Sequence, residues 1–120
     1  MSTLLREDAA YLAGLLDGEG CFDSPRGNPR LRVKMGDLDV VMRAADLMGT
    51  SVTTEIDKRI DADGKPYSPM FVAALTGEPA LDVMRSVLPW LGARRSFKVA
   101  EITAAHAMKK KGRITLRRAA

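Results

Sequence analysis

The segment from Tyr11 to Phe22, YLAGLLDGEGCF, constrains the fold of this chain more than any other. Its leucines recur at the spacing of a helix: Leu12, Leu15 and Leu16. Gly14 and Gly18 lie four residues apart on one face of that helix, and their lack of side chains allows a second backbone to approach closely. Gly20 is predicted to end the helix as the residue that follows its last turn.

Two acidic residues, Asp17 and Glu19, lie in the last turn of this helix, where the helix dipole is negative. The dipole disfavours each carboxylate there by about 0.3–1 kcal/mol. Carbonyl groups without intrahelical partners also collect at this end. Carboxylates together with free carbonyls are the oxygen ligands that a hard divalent cation prefers. The pattern therefore indicates a metal site at the end of the helix.

Residues Leu12 to Gly20, LAGLLDGEG, resemble the signature of the LAGLIDADG homing endonucleases. The resemblance implies that Glu19, the last acid, binds the catalytic metal ions at the DNA and that Gly18 offers a carbonyl oxygen nearby. The cofactor implied is Mg²⁺ or another divalent cation. Asp17 either supports the dimer interface or binds metal, and the sequence leaves both roles open. A buried helix with a glycine-rich end, without chemistry, is the alternative for the whole motif.

The chain carries one such motif, and family members with one motif act as homodimers. The resemblance therefore implies a two-fold symmetric homodimer that pairs through the motif helix. The residues assigned to its interface are Leu12, Ala13, Gly14, Leu15, Asp17 and Gly18. Such a dimer reads a near-palindromic site in double-stranded DNA, because the symmetry of the site mirrors the symmetry of the protein.

Helical and alternating patterns follow one another along the whole chain. Helices are expected over about 7–19, from 38 or 40 to 48, from 77 or 78 to 88, and over 96–109, and strands over 21–24, 30–35, 51–59 and 67–75. This αββαββα order, with one further helix at its end, resembles one half of a saddle-shaped LAGLIDADG protein. The resemblance implies an α+β fold with a four-stranded antiparallel sheet, as an endonuclease domain over residues 1–110 and a basic C-terminal tail over 111–120.

The predicted strand over 30–35, RLRVKM, alternates between cationic and apolar residues. Its cations are predicted to share one face of the sheet and to follow DNA phosphates: Arg30, Arg32 and Lys34. Arg59, on the polar side of the next predicted strand, joins the candidate DNA-binding residues. The alternative is a solvated face without a ligand, although such a face usually mixes charges of both signs.

Positive charge is concentrated towards the C-terminus of this chain, whose net charge is +4. Nine of its nineteen basic residues, but only one of its fifteen acids, lie in residues 94–120, which predicts a polyanionic partner. A solubilising tail is the alternative for the last ten residues. Residues Pro89 to Gly92, PWLG, resemble the family's segment before its last helix, where a basic residue reaches the active site. The candidates are Arg94, which is preferred, Arg95 and Lys98.

Three further features have no assigned function. Residues Ile60 to Gly64 spell IDADG, but no LAGL-like helix precedes them and they are expected in an exposed turn. His106, the only histidine, has no partner at an obvious spacing and is expected at the surface. Many family members place a polar residue such as glutamine after the second strand, near the metal ions. This chain has Met35 to Asp37 at that place, and either Asp37 or water would take the role of the polar residue.

The function predicted is a site-specific DNA endonuclease that makes a magnesium-dependent double-strand break at a long near-palindromic site. The main alternative is a nucleic-acid binder without cleavage, such as an intron splicing maturase or a transcription regulator. A third is a structural protein that uses the apolar helix only to dimerise. Glu19 favours the nuclease, because a chain that uses no metal has no need of an acid at this disfavoured position.

Cysteine content and hydropathy limit the cellular context. The single cysteine, Cys21, excludes an intrachain disulfide and a zinc cluster. No apolar run is long enough to cross a membrane, and no signal-type segment is apparent near Met1. We therefore expect no membrane partner and a cytoplasmic location, or another intracellular one in an organelle or as a phage-encoded protein.

Overall fold

The computed structural model describes the backbone of residues 4–119 and the side chains of residues 4–111. Within this range the chain forms two αββ units followed by two helices. The helices are α1 (Arg6–Glu19), α2 (Leu38–Met48), α3 (Gly77–Val87) and α4 (Ala93–Ala119). The strands are β1 (Gly20–Asp23), β2 (Arg30–Met35), β3 (Val52–Glu55) and β4 (Met70–Thr76). The predicted α+β fold and its order of elements are confirmed.

The strands form one antiparallel sheet, which in the described residues has the order β1-β2-β4-β3. Arg32 of β2 pairs with Cys21 of β1 and with Ala74 of β4, while Thr53 of β3 pairs with Val72 of β4. Because side chains alternate along a strand, these five residues share one face of the sheet. This face is called the open face below.

The helices cover the opposite face of the sheet and enclose the apolar core. Every helix and the central strand β2 contribute to it. Residues with no exposed surface include Leu12, Leu16, Leu31, Val33, Val41, Leu81, Met84 and Val99. Burial of a side chain of this size stabilises the folded state by about 1.5–3 kcal/mol. Since the core lies on the helical side, the polar residues of the strands are left on the open face.

Gly20 joins α1 directly to β1, because its backbone is extended, with φ −84° and ψ 153°. The helix ends where the sequence predicts, without an intervening turn. A Cβ atom at Gly20 would lie 2.7 Å from both the carbonyl oxygen and the Cδ2 atom of Leu16. Glycine is therefore needed here for close approach to the last turn of α1 and not for a positive φ.

The predicted strands over 51–59 and 67–75 are both too long at the end where they approach each other. β3 ends at Glu55 and β4 begins at Met70, so residues 56–69 form a loop. Within this loop the backbone N–H of Arg59 donates to the Asp57 carboxylate at 3.0 Å. A side chain that bonds its own neighbouring backbone competes with the strand ladder, which explains the early end of β3.

The last helix is longer at both ends than the predicted range over 96–109. It begins at Ala93 and continues to Ala119, because Gly112 costs only about 1 kcal/mol in a helix and no proline follows it. The expected boundary between residues 1–110 and 111–120 falls inside this helix, and the division into domain and tail stays a prediction. The side chains of 112–120 lie outside the described residues. None of the described helices is both long and apolar enough to cross a membrane.

Replacement of Gly20 by alanine should lower the free energy of unfolding by about 1–3 kcal/mol, the usual cost of forcing a methyl group into a packed interior. Urea denaturation measures this change. Gly36→Ala is the control, because its Cβ would meet only the Met70 sulfur, at 4.0 Å. Equal losses of stability in the two variants would contradict the close approach at Gly20.

Candidate nucleic-acid interface and metal-binding centre

Asp17 joins the end of α1 to the start of α4. Its two carboxylate oxygens accept hydrogen bonds from the backbone N–H of Gly92, at 3.0 and 3.1 Å. The carbonyl of Gly92 accepts from the N–H of Ser96 at 2.9 Å, so α4 begins immediately after Gly92. Asp17 thus lies at the positive end of the α4 dipole, which offsets the cost of its place at the negative end of α1. This contact occupies both carboxylate oxygens of Asp17 within one chain, so metal binding by Asp17 and its support of a dimer interface both stay predictions.

Glu19 has no comparable partner at the end of α1. Its carboxylate is exposed and, among the described residues, makes neither a hydrogen bond nor an ion pair. Gly18 is exposed beside it. Carboxylate and helix-terminal carbonyl oxygens fit a hard cation such as Mg²⁺. The described part of one protomer contains no group of three or more His, Cys, Asp or Glu residues that could hold a metal. Further oxygen ligands would have to come from water, DNA or a second copy.

The candidate basic residues lie at the start of α4, immediately beyond the Asp17 contact. Arg94, Arg95 and Lys98 line an open pocket of about 430 Å³ together with Phe22 and Phe97. Arg94 is exposed and has no ion pair in the described part of the chain. The Nε of Arg95 is buried without a hydrogen-bond partner. The Nζ of Lys98 lies 3.6 Å from Oε1 of Glu101, so these two residues form an ion pair. The hydrogen bond from Gly92 to Asp17 therefore places these cations beside the end of α1.

The open face carries the predicted cations of β2, but it also carries two acids from other strands. Arg30 donates to Asp23 of β1 through Nε at 2.9 Å and through its terminal nitrogen at 2.6 Å. Lys34 reaches across β4 to Glu55 of β3, at 2.6 Å. These hydrogen bonds are the main reason that the pKa values of both acids lie below their ordinary values. Arg32, between the two pairs, has no ion pair among the described residues.

The three cations of β2 therefore share one face of the sheet, as predicted, but that face carries charges of both signs. Three cations against two acids leave one positive charge on this part of the open face. Asp23 could have been found from the sequence, because a short connection over 24–29 pairs residue 23 with residue 30. Glu55 has no such local signal, because its contact with Lys34 depends on β4 lying between β2 and β3.

Arg59 lies in the loop and not on the sheet. Its guanidinium donates to both carboxylate oxygens of Asp57 and lies 5.8 Å from the centre of the Tyr67 ring. The hydrogen bonds from Arg59 lower the pKa of Asp57 to about 2. Arg59 also lines an open pocket of about 550 Å³ together with Lys34 and Glu55. It therefore borders the open face and stays a candidate for DNA contact.

The motif helix presents part of its predicted interface to solvent. Gly14 and Gly18 are exposed, and a Cβ atom at either would meet nothing within 4 Å. Leu15 is half-buried. The assignment of Leu12 and Ala13 to the interface is corrected, since both are completely buried in the core of their own protomer. The surface available on this side of α1 is therefore formed around the two glycines.

The remaining expectations concern isolated polar residues. Nε2 of His106 lies 3.0 Å from Oε1 of Glu78, so the histidine for which the sequence shows no obvious partner has one in the structure. The reason is that α4 packs beside the start of α3, which sequence spacing does not reveal. The IDADG residues do form an exposed turn, in which Oδ1 of Asp61 accepts from the N–H groups of Asp63 and Lys65. Asp37 precedes α2 without a side-chain capping bond and is exposed.

Three solved structures that match this fold are homing endonucleases in complex with DNA. One is I-CvuI in complex with its target in the presence of 2 mM Ca, with a TM-score of 0.55 and 18% identity over 83% of this chain and 66% of that chain. I-CvuI in complex with the I-CreI target in the presence of 2 mM Mg gives a TM-score of 0.53 and 19% identity over the same shares. I-CeuI, a group I intron-encoded homing endonuclease complexed with DNA, gives a TM-score of 0.60 and 15% identity over 92% of this chain and 59% of that chain.

These comparisons establish the fold. The chain spans just under two thirds of the length of I-CvuI and less of I-CeuI. No protein-family model matches the chain, and no curated protein matches it in sequence. The α+β fold inferred from the motif is thus the fold of the endonucleases that the sequence resembles.

Replacement of Asp17 by alanine should lower the free energy of unfolding by about 1–2 kcal/mol, because the Gly92 N–H loses its acceptor. Asp17→Asn should lose less, since its amide oxygen still accepts. Urea denaturation measures both. The control is Asp46→Ala on α2, which removes an exposed acid without a side-chain hydrogen bond and should change stability by about 0.5 kcal/mol at most. Equal stability of Asp17→Ala and Asp46→Ala would show that the contact does not hold α4.

Proposed function

We propose that this chain is the protomer of a homodimeric, divalent-metal-dependent, site-specific DNA endonuclease. One observation carries the proposal: the Asp17–Gly92 hydrogen bond brings the end of α1, with its exposed Glu19, beside the start of α4, with its exposed Arg94. A free carboxylate for a metal and a free guanidinium for a phosphate are the complementary groups that phosphodiester hydrolysis requires.

The open face of the sheet supports double-stranded DNA as the partner. It adjoins the carboxylate directly, because β1 follows Glu19 without a break. A two-stranded ribbon such as β1–β2 fits the major groove, where side chains can reach base edges. Arg32 is available for a phosphate, and Arg30 and Lys34 lie on either side of it. The solved structures that share this fold are themselves DNA complexes.

The exposed glycines support a dimer that pairs through α1. A glycine in a helix interior costs about 1 kcal/mol relative to alanine, and the packing of this protomer does not require one at Gly14 or Gly18. Close approach of a second backbone would account for both. Pairing of this face with its own copy gives an isologous contact and a two-fold axis, and it brings two Glu19 carboxylates to one site.

In this proposal a few side chains share the tasks of DNA cleavage. Glu19, with the Gly18 carbonyl, would hold Mg²⁺ or another divalent cation. When bound, such a cation makes a coordinated water more nucleophilic and neutralises charge on the scissile phosphate. Arg94 donates to the phosphate oxygens as negative charge develops on them, and Arg95 and Lys98 in the same pocket are alternatives for this role. Asp17 keeps the two helix ends together.

A second candidate is a nucleic-acid binder of the same fold without cleavage, such as a splicing maturase or a transcription regulator. It is favoured by the small number of metal ligands, since the described part of each protomer offers one free carboxylate at this place. Both candidates require binding of nucleic acid through the open face, but only the nuclease requires Glu19.

The nuclease is tested by incubating a randomised duplex library with the protein and Mg²⁺ and sequencing the cut ends. Staggered ends centred on a near-palindrome are expected, and removal of Mg²⁺ by EDTA should abolish them. Glu19→Gln should lower the cleavage rate by about 100-fold or more, the scale for loss of a group that stabilises transition-state charge, while duplex affinity is unchanged. The control is Glu7→Gln, the same change at the other end of α1.

Two outcomes would oppose the assignment. Cleavage by Glu19→Gln at the wild-type rate would exclude this residue as the metal ligand. Sequence-selective binding by the wild type without any cutting would support the second candidate.

The dimer is tested at Gly14. Sedimentation of the wild type should give about twice the chain mass of 13.1 kDa. Gly14→Leu should raise the dissociation constant by about tenfold or more, equivalent to about 1.4 kcal/mol, because the added side chain separates the two backbones. The control is Ala104→Leu on the exposed surface of α4. A monomeric wild type, or an unchanged dimer in Gly14→Leu, would refute pairing through α1.

A further inference from the structure

The ion pairs on the open face are built by the strand register and not by neighbours in sequence. Asp23 meets Arg30 across the β1–β2 pairing. Lys34 extends over β4 to reach Glu55 on β3, and Val72 lies beneath this pair with only 5% of its surface exposed. Both pairs remain accessible from outside, since their side chains are between 30% and 48% exposed.

This arrangement is unfavourable for a surface that only follows phosphates. Each carboxylate repels a phosphate at the place where its cation would bind one, and each cation must leave its acid to make that contact. Phosphate contacts supply most of the affinity for arbitrary sequences and carry no sequence information. Acids in this position therefore lower the affinity for a duplex of any sequence. This loss of affinity is unfavourable unless the acids also increase the preference for particular sequences.

Carboxylates can also take part in reading bases. In the major groove, cytosine presents its N4 amino group and adenine its N6 amino group as donors, whereas Arg and Lys donate to guanine. Each ion pair, with its carboxylate oxygen and its cationic nitrogen 2.6 Å apart, thus offers a hydrogen-bond acceptor and a donor at one position. Because the hydrogen bonds from Arg30 and Lys34 keep the pKa values of Asp23 and Glu55 low, both acceptors are ionised at neutral pH.

We infer that Asp23 and Glu55 are specificity-determining residues of the DNA-binding surface: they hold Arg30 and Lys34 away from phosphates and disfavour duplexes whose base edges do not match the pairs. This inference rests on the proposed DNA-binding function. Arg32 is then the residue of β2 that contacts a phosphate in any sequence. Discrimination arises from repulsion of wrong sequences as well as attraction of the right one.

The test measures the affinity of the full chain for a mixed-sequence DNA duplex as a function of salt concentration. Asp23→Asn and Glu55→Gln each free one cation, so each should steepen the logarithmic salt dependence by about 0.9, the slope of one added phosphate contact. The affinity of each variant should then fall about threefold more than that of the wild type between 50 and 200 mM salt. Preference for a site selected from the library over the mixed duplex should decrease in both variants.

Asp82→Asn is the matched control for a change in net charge. It removes an acid that lies 3.5 Å from Arg85 on α3, away from the open face, and raises the net charge by the same amount. Its salt dependence should equal that of the wild type. The two substitutions, Asp23→Asn and Glu55→Gln, lie on different strands. If one variant does not fold, the salt dependence of the other still tests the inference.

The possible failures are distinguishable. If the wild type binds duplex DNA with a steep salt dependence but the two variants behave like Asp82→Asn, the role of the acids is refuted and the proposed function stands. If the wild type shows no salt-dependent binding to duplex DNA, the proposed function fails, and this inference fails with it.

Discussion

The hydrogen bond between the Asp17 carboxylate and the Gly92 N–H is the contact on which the candidate site depends. The helix dipole of α1 disfavours an anion at this place, and the dipole of α4 favours one, so the meeting of the two helix ends offsets the cost of Asp17. The same contact brings the end of α1, which carries Glu19, to the start of α4, which carries Arg94. The carboxylate of Asp17 is thus bound to α4, while that of Glu19, two residues further on, has no partner among the described residues.

The glycines of the motif are explained by two different physical requirements. Gly20 is required inside the protomer, because a Cβ atom would meet the carbonyl of Leu16 at 2.7 Å. Gly14 and Gly18 are not required there, since the space around them is open. Glycine on an exposed helix face lowers helix stability, and the proposed close contact with a second copy would account for its presence. A single nine-residue motif therefore serves the protomer and the proposed dimer at once.

The open face, the proposed DNA-binding surface, carries acids among its cations. Ion pairs this exposed contribute little to stability, so Asp23 and Glu55 are poorly explained as stabilising groups. Their effect on a polyanion is larger, because each weakens the attraction that a phosphate feels for its neighbour. In the proposed function, the open face with its low net charge would supply sequence selectivity, and the positive charge towards the C-terminus would supply affinity for any DNA sequence.

The sequence alone determined the helix end at Glu19, the limits of β2 and the exposure of the IDADG turn, because periodicity and turn chemistry act over a few residues. The antiparallel α+β fold followed from the resemblance of the motif and the element order to the LAGLIDADG proteins. Only the tertiary structure decided that Asp17 meets Gly92, that Lys34 meets Glu55 and that Leu12 and Ala13 belong to the core. Each of these depends on how distant elements pack. The strand order β1-β2-β4-β3 differs from the order along the chain, and the partners of a charged side chain follow the spatial order.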